Sequence, residues 1–79
     1  MNITIYTKSA CPNCVIAKDM LESSGLAYTS MSLDDPQILA MFCEQNPGVR
    51  QMPQIFIDGQ RIGGVAGLQA ALKQIKAAA

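Results

Sequence analysis

Two cysteines separated by two residues, Cys11-Pro12-Asn13-Cys14, are the side chains of this sequence best suited to chemistry. A thiolate pair at that spacing either exchanges with disulfides or forms half of a metal site. The remaining composition weighs against zinc: among 79 residues there are 3 Cys and no His, so only Cys43 could add a thiolate ligand and no imidazole is available. Without histidine no Cys-His or Ser-His pair can form, and a nucleophile must draw its reactivity from the local field. Redox exchange is therefore the leading chemistry. An iron–sulfur cluster shared between two chains needs only one or two Cys from each and stays open as a second class.

The context of the pair assigns different roles to its two sulfurs. Pro12 suits the first position of a helix, because the N–H it lacks would have been unpaired there. Cys11 then falls at the N-cap, where free backbone N–H groups and the positive end of the helix dipole stabilise a thiolate. Lys8, three residues earlier, adds positive charge. Such surroundings lower a thiol pKa from about 8.5 by one to several units. Cys14 lies one turn further in, on the apolar face with Ala17 and Leu21, and lacks both advantages. Cys11 is thus expected to attack a disulfide, and Cys14 to resolve the mixed disulfide that forms.

The elements that must hold this pair are legible from periodicity. Ile3 to Thr7 alternates apolar and polar residues with β-branched and aromatic types, a strand that leads into the helix from Pro12 to about Ser24, with Gly25 at its C′ position. Tyr28 to Leu33 is a weaker strand. Asp35 caps a helix from Pro36 to Gln45 that carries an apolar stripe of Ile38, Leu39 and Phe42 and stops at Asn46-Pro47-Gly48. Gln54 to Ile57, the Asp58-Gly59 turn and Gln60 to Ile62 read as a tight hairpin. A last helix from about Gly67 to Ala77 places Leu68, Ala71, Leu72 and Ile75 on one face, and Ala77-Ala78-Ala79 reads as a fraying end. The order β-α-β-α-β-β-α implies an α/β fold with a small mixed sheet: a right-handed helical crossover makes the first two strands parallel, and the hairpin adds antiparallel pairing.

Three further features bear on function. Pro53 cannot donate a ladder bond and belongs at the first residue of a strand. Its ordinary form is trans, whereas a cis Met52-Pro53 bond would turn the Met52 backbone towards Cys11 and let an extended peptide pair with it. Gly63-Gly64 is either a turn into the last helix or a bare run of N–H groups able to hold a carboxylate. Cys43, beside Phe42, reads as a small residue packed within its helix.

Composition narrows the setting. Six basic and six acidic residues with no basic cluster give neither a nucleic acid nor an anionic membrane as partner. No run of about 18 apolar residues could span a bilayer, and the start Met1-Asn2-Ile3-Thr4-Ile5 lacks the layout of a signal peptide. An odd cysteine count also argues against a framework of secretory disulfides, so the reading is one domain over residues 1–79, a monomer in a reducing cytoplasm.

Taken together, Tyr6-Thr7-Lys8-Ser9-Ala10-Cys11-Pro12-Asn13-Cys14, Met52-Pro53-Gln54-Ile55-Phe56-Ile57-Asp58-Gly59 and Ile62-Gly63-Gly64 with Leu68 resemble a dithiol glutaredoxin of the thioredoxin superfamily, nearly end to end. The resemblance implies a four-stranded thioredoxin-like sheet, a cis Met52-Pro53 bond and no tightly bound cofactor. It also implies reduction of protein disulfides or glutathione mixed disulfides, with glutathione as reductant. It makes Cys11 the nucleophile and Cys14 the resolving thiol, and it places Lys8, Asn13, Met52, Pro53, Gly64 and Val65 along the glutathione groove. The chain departs from the family at Asn13, where an aromatic is common, at Gln51, where Thr is common, and at Val65-Ala66-Gly67, where an acidic pair usually follows the two glycines. Loss of one charge-assisted bond to the γ-glutamyl end would cost about 1.5–3 kcal/mol. That departure implies a second resemblance, to small thioredoxin-like donors that reduce ribonucleotide reductase or another protein disulfide and are recharged by a thioredoxin reductase.

Overall fold

A four-stranded sheet organises the molecule, seen in a computed structural model that describes residues 1–78. In chain order the elements are β1 (Ile3–Thr7), α1 (Pro12–Ser23), β2 (Thr29–Ser32), α2 (Pro36–Gln45), β3 (Gln54–Ile57), β4 (Gln60–Gly63) and α3 (Val65–Ala78). The strands lie in the order β2-β1-β3-β4. β1 pairs in parallel with β2 and antiparallel with β3, and β3 pairs antiparallel with β4. This is the mixed sheet expected from one helical crossover followed by a hairpin, and it is the thioredoxin-like fold.

Alternation along β1 decides what each face carries. Ile3 and Ile5 point with Ile55 into the main core, where Ala17 and Leu21 of α1 and Leu68 and Leu72 of α3 close over them. Tyr6 points to the opposite face, its ring 4.8 Å from that of Phe42 and 5.5 Å from that of Phe56. α1 and α3 therefore cover one face and α2 the other, but α2 does so through a single buried residue. Of the predicted stripe only Phe42 is buried; Ile38 is half-buried and Leu39 is 43% exposed. Cys43 is also exposed, not packed within the helix, because α2 meets the sheet along Phe42 alone.

Local chemistry ends each element where the sequence indicates. Gly25 takes φ +71 at the end of α1, and Gly25 N–H and Leu26 N–H donate to the carbonyls of Glu22 and Leu21, which stops the helix with these two acceptors satisfied. Asp35 caps α2 by accepting from Gln37 N–H at 2.9 Å. In the β3-β4 turn both Asp58 (φ +50) and Gly59 (φ +83) are left-handed, the conformation of a tight two-residue hairpin.

Some element boundaries differ from the sequence reading, and β4 runs one residue further, to Gly63. α1 ends at Ser23. β2 is shorter than Tyr28 to Leu33 and mostly exposed, since it is an edge strand. α3 begins at Val65, two residues before Gly67, because the chain turns into the helix immediately after Gly64, whose carbonyl accepts from Leu68 N–H at 2.9 Å. The helix then runs through Ala78, one residue beyond Ala77, and Ala79 lies outside the described residues.

Candidate active site

β1 delivers the chain to the top of the sheet, and α1 starts after four intervening residues. Between them Ala10 adopts φ +53, a left-handed turn unusual for a residue with a Cβ. Ser9 donates from its N–H and its hydroxyl to the Asp34 carboxylate, at 3.4 and 3.3 Å, which ties this loop to the one entering α2. Neither the left-handed Ala10 nor the Asp34 tie carries a sequence signal, since alanine has no turn preference and the two loops are distant in the chain.

Cys11 is the N-cap of α1, with extended backbone (φ −121, ψ 95), and its Sγ accepts from the Cys14 N–H at 3.2 Å. The sulfur thus sits on the positive end of the helix, as the N-cap reading requires. Cys11 and Cys14 are joined as a disulfide, their Cα atoms 5.3 Å apart. The two sulfurs meet solvent unequally: Cys11 is half-buried, whereas Cys14 is 4% exposed against the core.

The second part of the site comes from across the sheet. Met52-Pro53 is cis, and the Met52 carbonyl oxygen lies 3.6 Å from Cys11 Sγ. Pro53 is buried and Met52 half-buried. Gly64 follows alongside: a Cβ there would sit 3.4 Å from the Pro53 carbonyl oxygen, so the start of α3 runs against the cis-proline segment. Cys11, Cys14, Met52, Pro53 and Gly64 are therefore brought together from two stretches of chain about 40 to 50 positions apart. Val65 opens α3 beside them, half-buried. Lys8 and Asn13 flank Cys11 in the chain and are both exposed. Among the described residues no group of three His, Cys, Asp or Glu side chains could hold a metal ion, and no helix is long and apolar enough to cross a membrane.

One residue of the site escaped the sequence reading. A Cβ on Gly67 would stand 2.9 Å from the carbonyl carbon of Ile62 and would overlap its oxygen. Gly67 is required by this close approach of α3 to β4, and its conflict with helix propensity was the one available signal.

The glutaredoxin family model matches residues 3–62. Glutaredoxin 3 of Escherichia coli K12 is 39% identical over 69 residues, which are 87% of this chain and 83% of that protein. Among solved structures, glutaredoxin 1 from Francisella tularensis, crystallised with cacodylate, superposes with a TM-score of 0.79 at 32% identity, covering 96% of each chain. A buckwheat glutaredoxin–glutathione complex superposes at 0.74 with 26% identity, covering 94% of this chain and 70% of that one. NrdH-redoxin from Escherichia coli, described as a glutaredoxin-like protein with a thioredoxin-like activity profile, reaches 0.76 with 25% identity and 95% coverage of each. With a family match over most of its length and a relative this similar, the chain belongs to the glutaredoxin family of thiol–disulfide oxidoreductases.

Proposed function

We propose that the chain reduces protein disulfides and glutathione mixed disulfides in a reducing cytoplasm, with glutathione as its electron source and no tightly bound cofactor. The observation that carries this reading is the unequal access of the two sulfurs: Cys11 meets solvent at a helix N-terminus and Cys14 is buried one turn away. In the reduced protein, the Cys11 thiolate attacks one sulfur of the substrate disulfide, and the other sulfur leaves as a thiolate that takes a proton from water. Cys14 then loses its proton and attacks Cys11 Sγ, expelling the reduced substrate and forming the Cys11–Cys14 disulfide. One glutathione thiolate opens that disulfide at Cys11, a second releases the first as glutathione disulfide, and the dithiol is restored.

Lys8, Asn13, the Met52 backbone, Pro53, Gly64 and Val65 would line the groove for the glutathionyl group. The Met52 backbone beside Cys11 Sγ supports β-type pairing with a tripeptide. Kinetics of glutathione-dependent reduction of a small mixed disulfide test the reading. Cys11→Ser is expected to abolish turnover, and Cys14→Ser to retain reduction of glutathione mixed disulfides while losing that of protein disulfides. Turnover surviving Cys11→Ser would overturn it.

A second reading rests on Gly67. An acidic side chain at that position would collide with the Ile62 carbonyl, so the γ-glutamyl end of glutathione has no carboxylate partner there. This favours a donor to ribonucleotide reductase or another protein disulfide, recharged by a thioredoxin reductase, as the likeness to NrdH-redoxin also supports. NADPH oxidation through that reductase in the absence of glutathione distinguishes the two electron sources.

A further inference from the structure

We propose that a two-arginine cleft beside the cis-proline segment binds an acidic side chain of the protein substrate, close in sequence to the attacked cysteine. The inference rests on the disulfide-reducing reading above and extends it to the choice of partner.

The cleft is lined by Arg50, Gln51, Gln54 and Arg61, with Gly48 and Val49 at its edge. Strand register places its strand residues. Tyr6 lies opposite Gln54, and Phe56, whose ring meets that of Tyr6, lies opposite Arg61. Residues directly opposite on antiparallel strands share a face, so Gln54 and Arg61 stand on the Tyr6 side of the sheet, the side that α2 covers only through Phe42. Arg50 comes from the loop that leads into Met52. Two arginines therefore line one opening, and among the described residues neither makes an ion pair or a side-chain hydrogen bond. Guanidinium forks match the planar carboxylate, and a site with two of them and no internal counter-ion is complementary to an external acid.

Gln54 is the buried member of the lining. It is 7% exposed, its Nε2 donates to the Gln51 carbonyl at 2.8 Å, and its Oε1 is buried with no partner. A buried acceptor without a donor is costly.

The distance to the chemistry sets the spacing. Arg50 is two residues from Met52, whose carbonyl lies beside Cys11 Sγ, and two residues of extended chain span at most about 7 Å. An extended substrate advances about 3.3 Å per residue, so the acid falls within about three residues of the attacked cysteine.

Single-turnover kinetics test this without glutathione. The dithiol form of the protein is mixed with either of two disulfide peptides that differ only in Asp or Asn two residues from the reactive cysteine. The Asp peptide is expected to react about tenfold faster at low ionic strength, with the advantage shrinking at about 0.5 M salt. In the double variant Arg50→Gln, Arg61→Gln it should fall to the rate of the Asn peptide, whose own rate stays unchanged. Lysine at both positions should restore part of the preference, and Lys73→Gln, Lys76→Gln, an equal charge change on α3, should leave it intact. Equal rates for the two peptides with the unmodified protein, or equal slowing of both in the arginine variant, would overturn the proposal. If neither peptide is reduced at all, it is the oxidoreductase reading that fails.

Discussion

Cys11 and Cys14 are three positions apart and meet different surroundings. The N-cap places Cys11 where a negative charge is welcome, while Cys14 is buried, where it is not. The left-handed Ala10 one residue earlier costs about 1–2 kcal/mol that glycine would not incur, against about 0.5–1 kcal/mol of extra backbone entropy lost by glycine on folding. Ala10→Gly is therefore expected to raise stability by up to about 1 kcal/mol, measured by urea unfolding of the reduced protein. Tyr28 shows how pH acts through one side chain. Partial burial, then its hydrogen bond to Glu22 and the charges of Glu22 and Asp19, hold its phenol above the ordinary value of 10.0. The folded state keeps that proton longer than the unfolded state does. Its contribution is thus complete below pH 10 and lost as pH rises above it. Tyr28→Phe should flatten the alkaline decline of thermal stability in that window; an unchanged decline would show that the phenol contributes nothing.

At the scale of elements, α2 and α3 are held in opposite ways. α2 depends on one anchor: Phe42 is 1% exposed, while Leu39 and Met41 on the same helix remain 43% and 60% exposed. Phe42→Ala should cost about 3–5 kcal/mol, whereas Met41→Ala should change stability by less than about 0.5 kcal/mol, both read from denaturant midpoints. α3 instead approaches β4 so closely that Gly67 admits no side chain. Gly67→Ala should destabilise by about 2 kcal/mol and lower Tm by roughly 8–16 °C, although alanine is the better helix former. Ala66→Asp, exposed in the first turn of α3, should gain about 0.3–1 kcal/mol from the helix dipole. Calorimetry of the two variants checks the contrast. If Gly67→Ala is as stable as the parent, the close contact with Ile62 does not constrain the helix.

For the whole molecule, 79 residues correspond to about 4–12 kcal/mol of net stability. Seven buried residues, Ile3, Ile5, Ala17, Leu21, Ile55, Leu68 and Leu72, form the main core between the sheet and the α1-α3 pair. With so few, Leu21→Ala, at about 2–5 kcal/mol, should remove much of the margin and leave the reduced protein partly unfolded at 37 °C by circular dichroism. Much of this architecture was legible in the chain. The strand and helix types, the Gly25 stop, the Asp35 cap, the Asp58-Gly59 turn and the N-cap place of Cys11 all follow from contacts within a few residues, and local contacts are what periodicity and capping rules describe. What tertiary structure alone decided are the contacts between distant segments. The Met52 carbonyl stands beside Cys11 Sγ and Gly64 against Pro53. Gly67 is pressed onto Ile62, Cys43 is left in solvent because α2 rests on Phe42, and Arg50 is gathered with Arg61 and the buried Gln54. Each depends on how the sheet is ordered and how closely helices approach it, a property of packing between elements that no local pattern of residues encodes.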